Sequence, residues 1–288
     1  MFRYILVPAP GTQAHDAAFH TALAVARQSA GHLHFMHVRL DVQLLLISMS
    51  SGDYGGGAGI GDIIESLQRD VDARNDRAHH AVLSFCAREH VALSDSPLAD
   101  APSATFLVET GNESRLLAAR ARTADLTVLG RAADGEAVTL DLLEAVLLDS
   151  GRPLLIAPTQ PPEHLGRRIA IAWKDTPEAA RAVAAAMPLL HAAESVTVIA
   201  VQEEVGQDSS AAARLGDAVR WHNPATTLRV VPPAAADAAD TLLASAAEAQ
   251  ADLLVMGGYS HSRLREVVFG GVTRRVLRAA GLPVLLAH

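Results

Sequence analysis

The chain has 288 residues, half of them hydrophobic, and 24 lysines and arginines against 32 aspartates and glutamates, a formal net charge of −8. A substantial core is therefore available, and the negative charge argues against a general attraction to nucleic acid or anionic lipid. The single cysteine, Cys86, excludes an internal disulfide framework and a cysteine-based zinc site. Because no apolar run reaches the ~20 residues that span a bilayer, we expect a globular cytoplasmic protein with no membrane or nucleic-acid partner.

The first half alternates short apolar runs with segments of helical periodicity, which is typical of a parallel sheet covered by helices. Its predicted strands are ILVPA, HLHFMHV, ATFLVET, LTVLG and LLIAP. A long segment, residues 39–103, separates the second strand from the third and contains SGDYGGGAGIGD. This stretch matches neither G-x-G-x-x-G nor a Walker A sequence. We interpret it as a lead-in to a long helix, IIESLQRDVDARNDRAHHAVLSFCARE.

Histidines in the second strand and in the long helix suggest metal chemistry. His32 and His34 lie on one face of the strand and His37 on the other, so at most two of them could share an ion. His79 and His80 are adjacent on the predicted helix and do not converge on one ion. With no carboxylate spaced beside them, we predict structural or surface histidines and no metal site.

The second half repeats this organisation after a proline-rich connection at residues 158–166. Its predicted strands are RIAIA, SVTVIAV, TLRVV, DLLVMG and PVLLAH, with four helices among them. Thr176 is a favourable N-cap for the helix after the first of these strands, and Pro177 suits its first position.

An internal repeat relates the two halves. TADLTVLGR at residues 123–131 and QADLLVMGG at residues 250–258 share five of nine residues, and a proline-led strand follows each. We therefore predict two α/β domains, over residues 1–158 and 167–288. Each is expected to be an open, Rossmann-like parallel sheet of five strands with helices on both faces.

The loop after the fourth strand of the second half is the strongest candidate site, because open parallel sheets bind ligands outside the carboxyl ends of their strands. Gly257 and Gly258 permit a tight turn. Gly270 and Gly271 begin a helix whose free N–H groups and dipole favour an anion. The other candidate ligand-binding residues are Ser260, His261, Ser262 and Arg263 in the loop, Trp173 and Lys174 after the first strand, and Val201 at the end of the second.

The net charge separates this loop from its counterpart in the first half. Residues 258–278 contain five arginines and one glutamate, a balance of +4, whereas residues 131–150 contain five acidic residues and one arginine, a balance of −4. Unit charges about 4 Å apart interact by roughly 1 kcal/mol even in bulk water. We therefore expect the first-half loop to repel phosphates. Arg274, Arg275 and Arg278 suit a solvated helix face better than a ligand site. For Arg263 and Arg265, which lie in the loop itself, both a ligand-binding and a surface role stay open.

In these features the chain resembles a tandem universal stress protein, over nearly its whole length apart from residues 39–103. In nucleotide-binding members the fourth strand runs into G-x-x-G, nine residues, then G and Ser or Thr, and these groups hold ribose and phosphates. Here Gly257 and Gly270 match, and Ser260 and Gly271 occupy the other two positions. The resemblance implies a non-catalytic stress-response protein whose second half binds a nucleotide, such as ATP with magnesium, or another anionic small molecule.

Nucleotide-binding members also carry an aspartate just after the first strand, where this chain has Pro10 and Lys174. This departure predicts weak ATP binding, with a Kd of about 10 μM or above. Two alternatives stay open. One is a nucleotide-hydrolysing enzyme, for which Asp175 and Glu266 are the acidic residues near the motif. The other is an interaction module whose two sites are both vestigial.

The resemblance also implies how the halves assemble, because universal stress proteins pair domains through their last strands. The proline-led strands at 153–157 and 283–287 are apolar enough to be buried edges that need cover. We therefore predict an intramolecular pseudo-dimer with these strands antiparallel to each other. Further homodimerisation stays open.

Overall fold

The computed structural model describes residues 1–12, 16–43, 60–131, 140–202, 208–232, 237–258 and 271–288. The elements of the first half are β1 (Tyr4–Pro8), α1 (Asp16–Ser29), β2 (His32–Arg39), α2 (Ile60–Glu89), β3 (Ala92–Leu93), β4 (Ser103–Thr110), α3 (Glu113–Ala121), β5 (Leu126–Leu129), α4 (Leu140–Asp149) and β6 (Leu154–Ile156). The elements of the second half are β7 (Arg168–Ala172), α5 (Pro177–Ala192), β8 (Ser195–Val201), α6 (Ser210–Arg220), β9 (Thr226–Val231), α7 (Ala238–Glu248), β10 (Leu253–Gly257), α8 (Gly271–Ala279) and β11 (Val284–Ala287).

The described strands form one sheet of eleven, in the order β3-β4-β2-β1-β5-β6-β11-β10-β7-β8-β9. Leaving β3 aside, each half has the same spatial order of its strands: third, second, first, fourth, fifth. The α/β class is confirmed, and the predicted count of two five-stranded sheets is corrected. The count differs because β6 and β11 join the halves edge to edge and because two residues after α2 pair with β4 as a short extra strand.

The junction between the halves is the antiparallel pair that the sequence predicts. Leu155 of β6 lies opposite Leu285 of β11, and both side chains are fully buried. Arg131 crosses the junction, and its guanidinium donates a hydrogen bond to the carbonyl oxygen of Ala280, just after α8. Each buried leucine contributes about 1.5–3 kcal/mol. The junction is therefore part of the hydrophobic core.

The aspartates of the repeated motif fasten the first strand of each half. The carboxylate of Asp125 accepts hydrogen bonds from the backbone N–H groups of Arg3 and Tyr4, at 2.8 and 3.0 Å. The carboxylate of Asp252 accepts from the three N–H groups of residues 166–168, at 2.9 to 3.1 Å. The repeat therefore preserves a structural contact between the chain before β5 or β10 and the chain that enters β1 or β7.

The predicted long helix is confirmed as α2, which covers one face of the first half. Phe85 of α2 packs against Phe19 and Phe35, with ring centroids 5.3 and 6.0 Å apart. Cys86 is buried beside it, and burial raises the pKa of its thiol to about 11. Because the thiolate is the reactive form of cysteine, this raised pKa makes Cys86 unreactive, and its burial makes it a core residue.

The three histidines of β2 contact residues of the neighbouring strands and of the segment after β1. His32 Nδ1 lies 2.7 Å from the hydroxyl of Ser103, and His37 Nδ1 lies 2.8 Å from the carbonyl oxygen of Ala9. The half-buried ring of His34 packs against Tyr4, with centroids 3.8 Å apart and the ring planes tilted by 35°. These contacts agree with the structural role predicted for the three residues.

Burial, together with the nearby His32 and Arg120, lowers the pKa of His34 from 6.5 to about 4. Between these two values the unfolded chain binds more protons than the folded one, so stability decreases as the pH falls through this window. Allowing for partial solvent exposure, we expect His34 to cost about 1–2 kcal/mol of stability between pH 7.5 and pH 5. Replacing His34 by Phe keeps a ring against Tyr4, so urea unfolding of the variant should lose that part of the pH dependence.

His80 provides the control, because it is an exposed histidine of the same half. The His80→Phe variant should keep the pH dependence of the parent protein. An unchanged pH dependence in His34→Phe would contradict the assignment to His34.

Candidate functional site

A cavity of about 320 Å³ opens at the carboxyl edge of the second half. It lies where β7 and β10 are neighbours in the sheet and the strand order reverses, which is the usual ligand position in such folds. Its volume is at the lower end of the ~300–1,000 Å³ typical of small-molecule sites. The walls come from the ends of β7, β8 and β10 and from the first turns of α5, α6, α7 and α8.

The fold brings together site residues that the sequence predicted on separate segments. The predicted residues in the cavity lining are Trp173, Lys174, Val201, Gly257 and Gly271. Those that lie outside the described residues are Ser260, His261, Ser262, Arg263 and Gly270. The lining residues that sequence reasoning did not propose include Thr176, Gln202, Asp208, Met256 and Thr273.

These additional residues give no distinctive signal in the sequence. Thr176 was identified only as an N-cap, and its hydroxyl does accept from the N–H of Ala179 at 3.3 Å. Thr273 is a buried residue of the first turn of α8. Both reach the cavity because the N-termini of helices in a parallel α/β fold lie at the carboxyl edge of the sheet.

Gly257 and Gly258 have different environments. A Cβ on Gly257 would lie 2.6 Å from the backbone nitrogen of Ala179, so the end of β10 touches the first turn of α5 directly. Gly258 is placed at the junction and not in the cavity lining. Its N–H donates a hydrogen bond to the carbonyl oxygen of Ala287 at 2.9 Å. A Cβ on Gly258 would lie 2.9 Å from the Cδ2 atom of Leu147 in the first half. Packing alone accounts for both glycines.

Gly271 differs from both of them. It begins α8 at the cavity, and apart from its chain neighbours and the nearby backbone of α8, no atom of the described residues lies within 4 Å of the position that its Cβ would take. Packing against the described residues therefore gives no reason for a glycine at this position.

Trp173 supplies an aromatic wall. Its side chain is half-buried, packs against the hydrophobic core and also lines the cavity. The indole Nε1 is buried and has no hydrogen-bond partner within the described ranges. Its backbone N–H donates to Ile199 of β8 at 2.8 Å, which continues the ladder beyond β7. An aromatic side chain at this place offers a surface on which a planar ligand can stack.

The acidic side chains of the lining have arginine neighbours. Glu178 accepts a hydrogen bond from Arg181 at 2.9 Å, and an Asp175 carboxylate oxygen lies 3.8 Å from Arg214. Among the lining residues that the structure describes, the one lysine or arginine is Lys174. These pairs reduce the repulsion that the carboxylates would exert on an anion.

Two of the arginines that contribute to the +4 charge of residues 258–278 have acidic neighbours. Arg275 donates two hydrogen bonds to Asp240 of α7, at 3.1 and 3.2 Å, and these bonds raise the pKa of its guanidinium. Burial and the neighbouring Asp141 raise the pKa of the Glu144 carboxyl in α4, and Arg274 lies close enough to oppose this rise in part. This agrees with the prediction that the α8 arginines are surface residues. Because Arg274 belongs to the second half and Glu144 to the first, their opposite charges attract each other across the junction.

The first half has a different arrangement at the corresponding edge. Gly11, just after β1, has φ +72°, and a Cβ there would collide with the carbonyl oxygen of Arg74 in α2. Arg77 of α2 also donates to the carbonyl oxygen of Gly11 at 3.3 Å. The long helix thus packs directly on the turn after β1. Its counterpart in the second half, α6, is only 11 residues long, begins at Ser210 and leaves the edge open.

Comparison with known proteins agrees with this fold. Residues 166–288 match the model of the Universal stress protein family. The second half of the chain is a universal stress protein domain. No curated protein matches the chain.

Solved structures extend the universal stress protein fold to both halves. A universal stress protein from Archaeoglobus fulgidus DSM 4304 is similar with a TM-score of 0.72 and 14% identity, covering 99% of this chain and 96% of that one. A functionally unknown protein from Pseudomonas aeruginosa PAO1 is similar with a TM-score of 0.59 and 16% identity, covering 99% and 92%. At these identities the likeness establishes the fold. Among the described residues, no helix is long and apolar enough to cross a membrane.

Proposed function

We propose that the protein is a non-catalytic stress-response protein that binds a nucleotide or a similar anionic small molecule in its second half. The observation that carries this proposal is the convergence on one cavity of five predicted site residues, from the segment after β7 and from β8, β10 and α8. The two halves act as domains over residues 1–158 and 167–288, and only the second holds ligand.

The cavity suits the two ends of a nucleotide differently. Trp173 and Val201 provide apolar surface for a base. Gly271 opens α8, and helix N-termini favour phosphate through their free N–H groups and dipole. Magnesium would accompany the phosphates of ATP. Lys174 replaces the acid expected for ribose, so ATP itself is proposed as a weak ligand.

A binding role is favoured over hydrolysis by the acidic groups of the lining. The carboxylate of Glu178 already accepts a hydrogen bond from Arg181, Asp175 lies near Arg214, and Asp208 accepts two hydrogen bonds from Ser210. A general base needs an available acceptor within hydrogen-bond reach of the attacking water. Phosphate release measured with ATP and magnesium tests the enzymatic alternative directly, since sustained turnover would favour it.

The proposal is tested by a matched pair of variants at the ends of β8 and β2. The pairing of Ala172 with Ile199 and of Pro8 with Met36 makes Val201 and Val38 equivalent, and both are half-buried. Val201→Asp places a negative charge in the cavity wall and should weaken ATP binding at least tenfold. Calorimetric titration with ATP and magnesium measures the affinity, for which we expect a Kd of about 10 μM or above in the parent protein.

The Val38→Asp variant carries the same change at the corresponding strand end of the first half, where Val38 is likewise half-buried. It should bind ATP like the parent protein, even if it loses similar stability. Equal losses in both variants would contradict a site confined to the second half. Undetectable binding of any nucleotide to the parent protein would favour the alternative that both sites are vestigial.

A further inference from the structure

Two exposed histidines meet at the edge of the second half that lies away from the cavity. His191 is in the last turn of α5, and His222 follows the end of α6. His191 Nε2 and His222 Nδ1 are 3.1 Å apart, and the ring centroids are 5.0 Å apart. Because α5 begins at the cavity and rises ~1.5 Å per residue, the pair lies roughly 20 Å from the proposed ligand.

The backbone around the pair is fixed by a buried side chain. Asn223 donates hydrogen bonds to the carbonyl oxygens of Leu190 and Ala193, at 2.9 and 2.8 Å, and thereby ties the segment after α6 to the end of α5. The backbone N–H of His222 donates to Val219 at 2.9 Å. The backbone segments that carry the two imidazoles are therefore held together by contacts that do not involve the ring nitrogens.

The spacing of the two nitrogens fits chelation of a metal ion. Imidazole nitrogens bind Zn²⁺ at about 2.0–2.1 Å, which separates two such ligands by roughly 3.3 Å at the tetrahedral angle. The separation is about 2.9 Å when the angle at the metal is 90°, as in square-planar copper or nickel sites. The observed 3.1 Å lies between these values. An ion bound to both nitrogens would displace the proton of their hydrogen bond and would lie to one side of the line that joins them.

The position also favours a cation. The carbonyl ends of α5 and α6 converge on this edge, and a helix C-terminus carries a partial negative charge that stabilises cations within its last turn. Both rings are exposed, so an ion reaches them without opening the fold. No group of three or more metal-ligating side chains exists among the described residues. Water or a donor from another molecule therefore completes the coordination.

We propose that His191 and His222 form a two-histidine site for a divalent late transition metal such as Cu²⁺, Ni²⁺ or Zn²⁺. The site stands apart from the proposed nucleotide cavity and does not depend on it. Imidazole is a suitable ligand for all three ions, and two such ligands leave coordination positions open.

Trp221 provides a direct measurement, because it immediately precedes His222 and is 89% exposed. The chain has one other tryptophan, Trp173, so a Trp173→Phe background isolates the signal. Titration of this full-length variant with CuCl₂ or NiCl₂ at pH 7.5 should quench the fluorescence of Trp221 saturably, with one ion per chain. Calorimetry with ZnCl₂ on the parent protein provides a second readout that does not depend on tryptophan.

His191→Gln and His222→Gln should each weaken the binding of these ions at least tenfold, and the double variant should lose little more, because the ligands act as a unit. The control is His80→Gln, an exposed histidine of α2 whose replacement should leave the affinity unchanged. Circular dichroism checks that each variant is folded. Saturable binding that survives the double variant, or the absence of saturable binding by the parent protein, would overturn the proposal.

Discussion

Replacing Asp252 by Ala is expected to lower the free energy of unfolding by about 2–4 kcal/mol. The carboxylate accepts three backbone N–H groups at the entry to β7, at 2.9, 3.1 and 3.1 Å. Hydrogen bonds to a charged acceptor are stronger than neutral ones, and an alanine leaves all three donors to water at a partly buried position. The chain between the halves also loses its attachment to β10. Urea unfolding followed by circular dichroism measures the change.

Two controls separate this contact from a general effect of removing an aspartate. Asp125→Ala in the first half removes two such hydrogen bonds, so it should cost somewhat less than Asp252→Ala. Asp217 is exposed and pairs with Arg220 one turn away, so Asp217→Ala should change stability by no more than about 0.5 kcal/mol. If Asp252→Ala were as mild as Asp217→Ala, the repeated aspartate would not hold the strand entry.

The repeated aspartate illustrates what a single sequence reveals. The identity of Asp125 with Asp252 was visible in the repeat, and the succession of strands and helices along the chain followed from the alternation of apolar runs and helical periodicity. The partners of Asp252 are 84 to 86 residues away along the chain, so nothing local indicates what the carboxylate binds. A repeat identifies the residues that are shared, and the tertiary fold supplies the reason.

The sheet also depends on contacts between distant parts of the chain that the sequence does not reveal. The apolar last strands were correctly predicted to pair, because an exposed apolar edge requires cover. That this pairing produces one continuous sheet depends on the register of Leu155 with Leu285, which hydrophobicity alone does not specify. The two residues of β3 carry no periodic signal and become a strand only because β4 is beside them.

At the candidate site, the location of the cavity was easier to predict from the sequence than the roles of the individual residues around it. The place of the cavity followed from the general rule for parallel sheets, and its predicted lining residues came from the ends of predicted strands. The local charge was harder to interpret, since Arg274 and Glu144 belong to different halves and become neighbours only through the junction. The length of α2 was also evident, but its contact with Gly11 depends on how the helix packs over β1.

Replacing Gly257 by Ala is expected to destabilise the protein by about 2–3 kcal/mol, at the upper end of typical overpacking costs. The added Cβ would lie 2.6 Å from the nitrogen of Ala179 and 2.9 Å from the carbonyl carbon of Glu178. Both are backbone atoms, so no side chain can rotate away, and α5 has to move off the end of β10. Because both elements line the cavity, the variant should also bind ATP more weakly. Urea unfolding and calorimetric titration measure the two effects.

Gly271→Ala is the matched control, because the two glycines belong to the same sequence motif but differ in their surroundings. A Cβ on Gly271 has no described atom within 4 Å. The substitution should therefore leave stability unchanged or raise it by about 0.4–1 kcal/mol, through the smaller entropy of the unfolded chain. If Gly271→Ala nevertheless weakens ATP binding, the glycine at the start of α8 serves the ligand, whereas Gly257 serves the packing of β10 on α5. If Gly257→Ala proves as stable as Gly271→Ala, the end of β10 is not held against α5, and the cavity wall described here is wrong at that point.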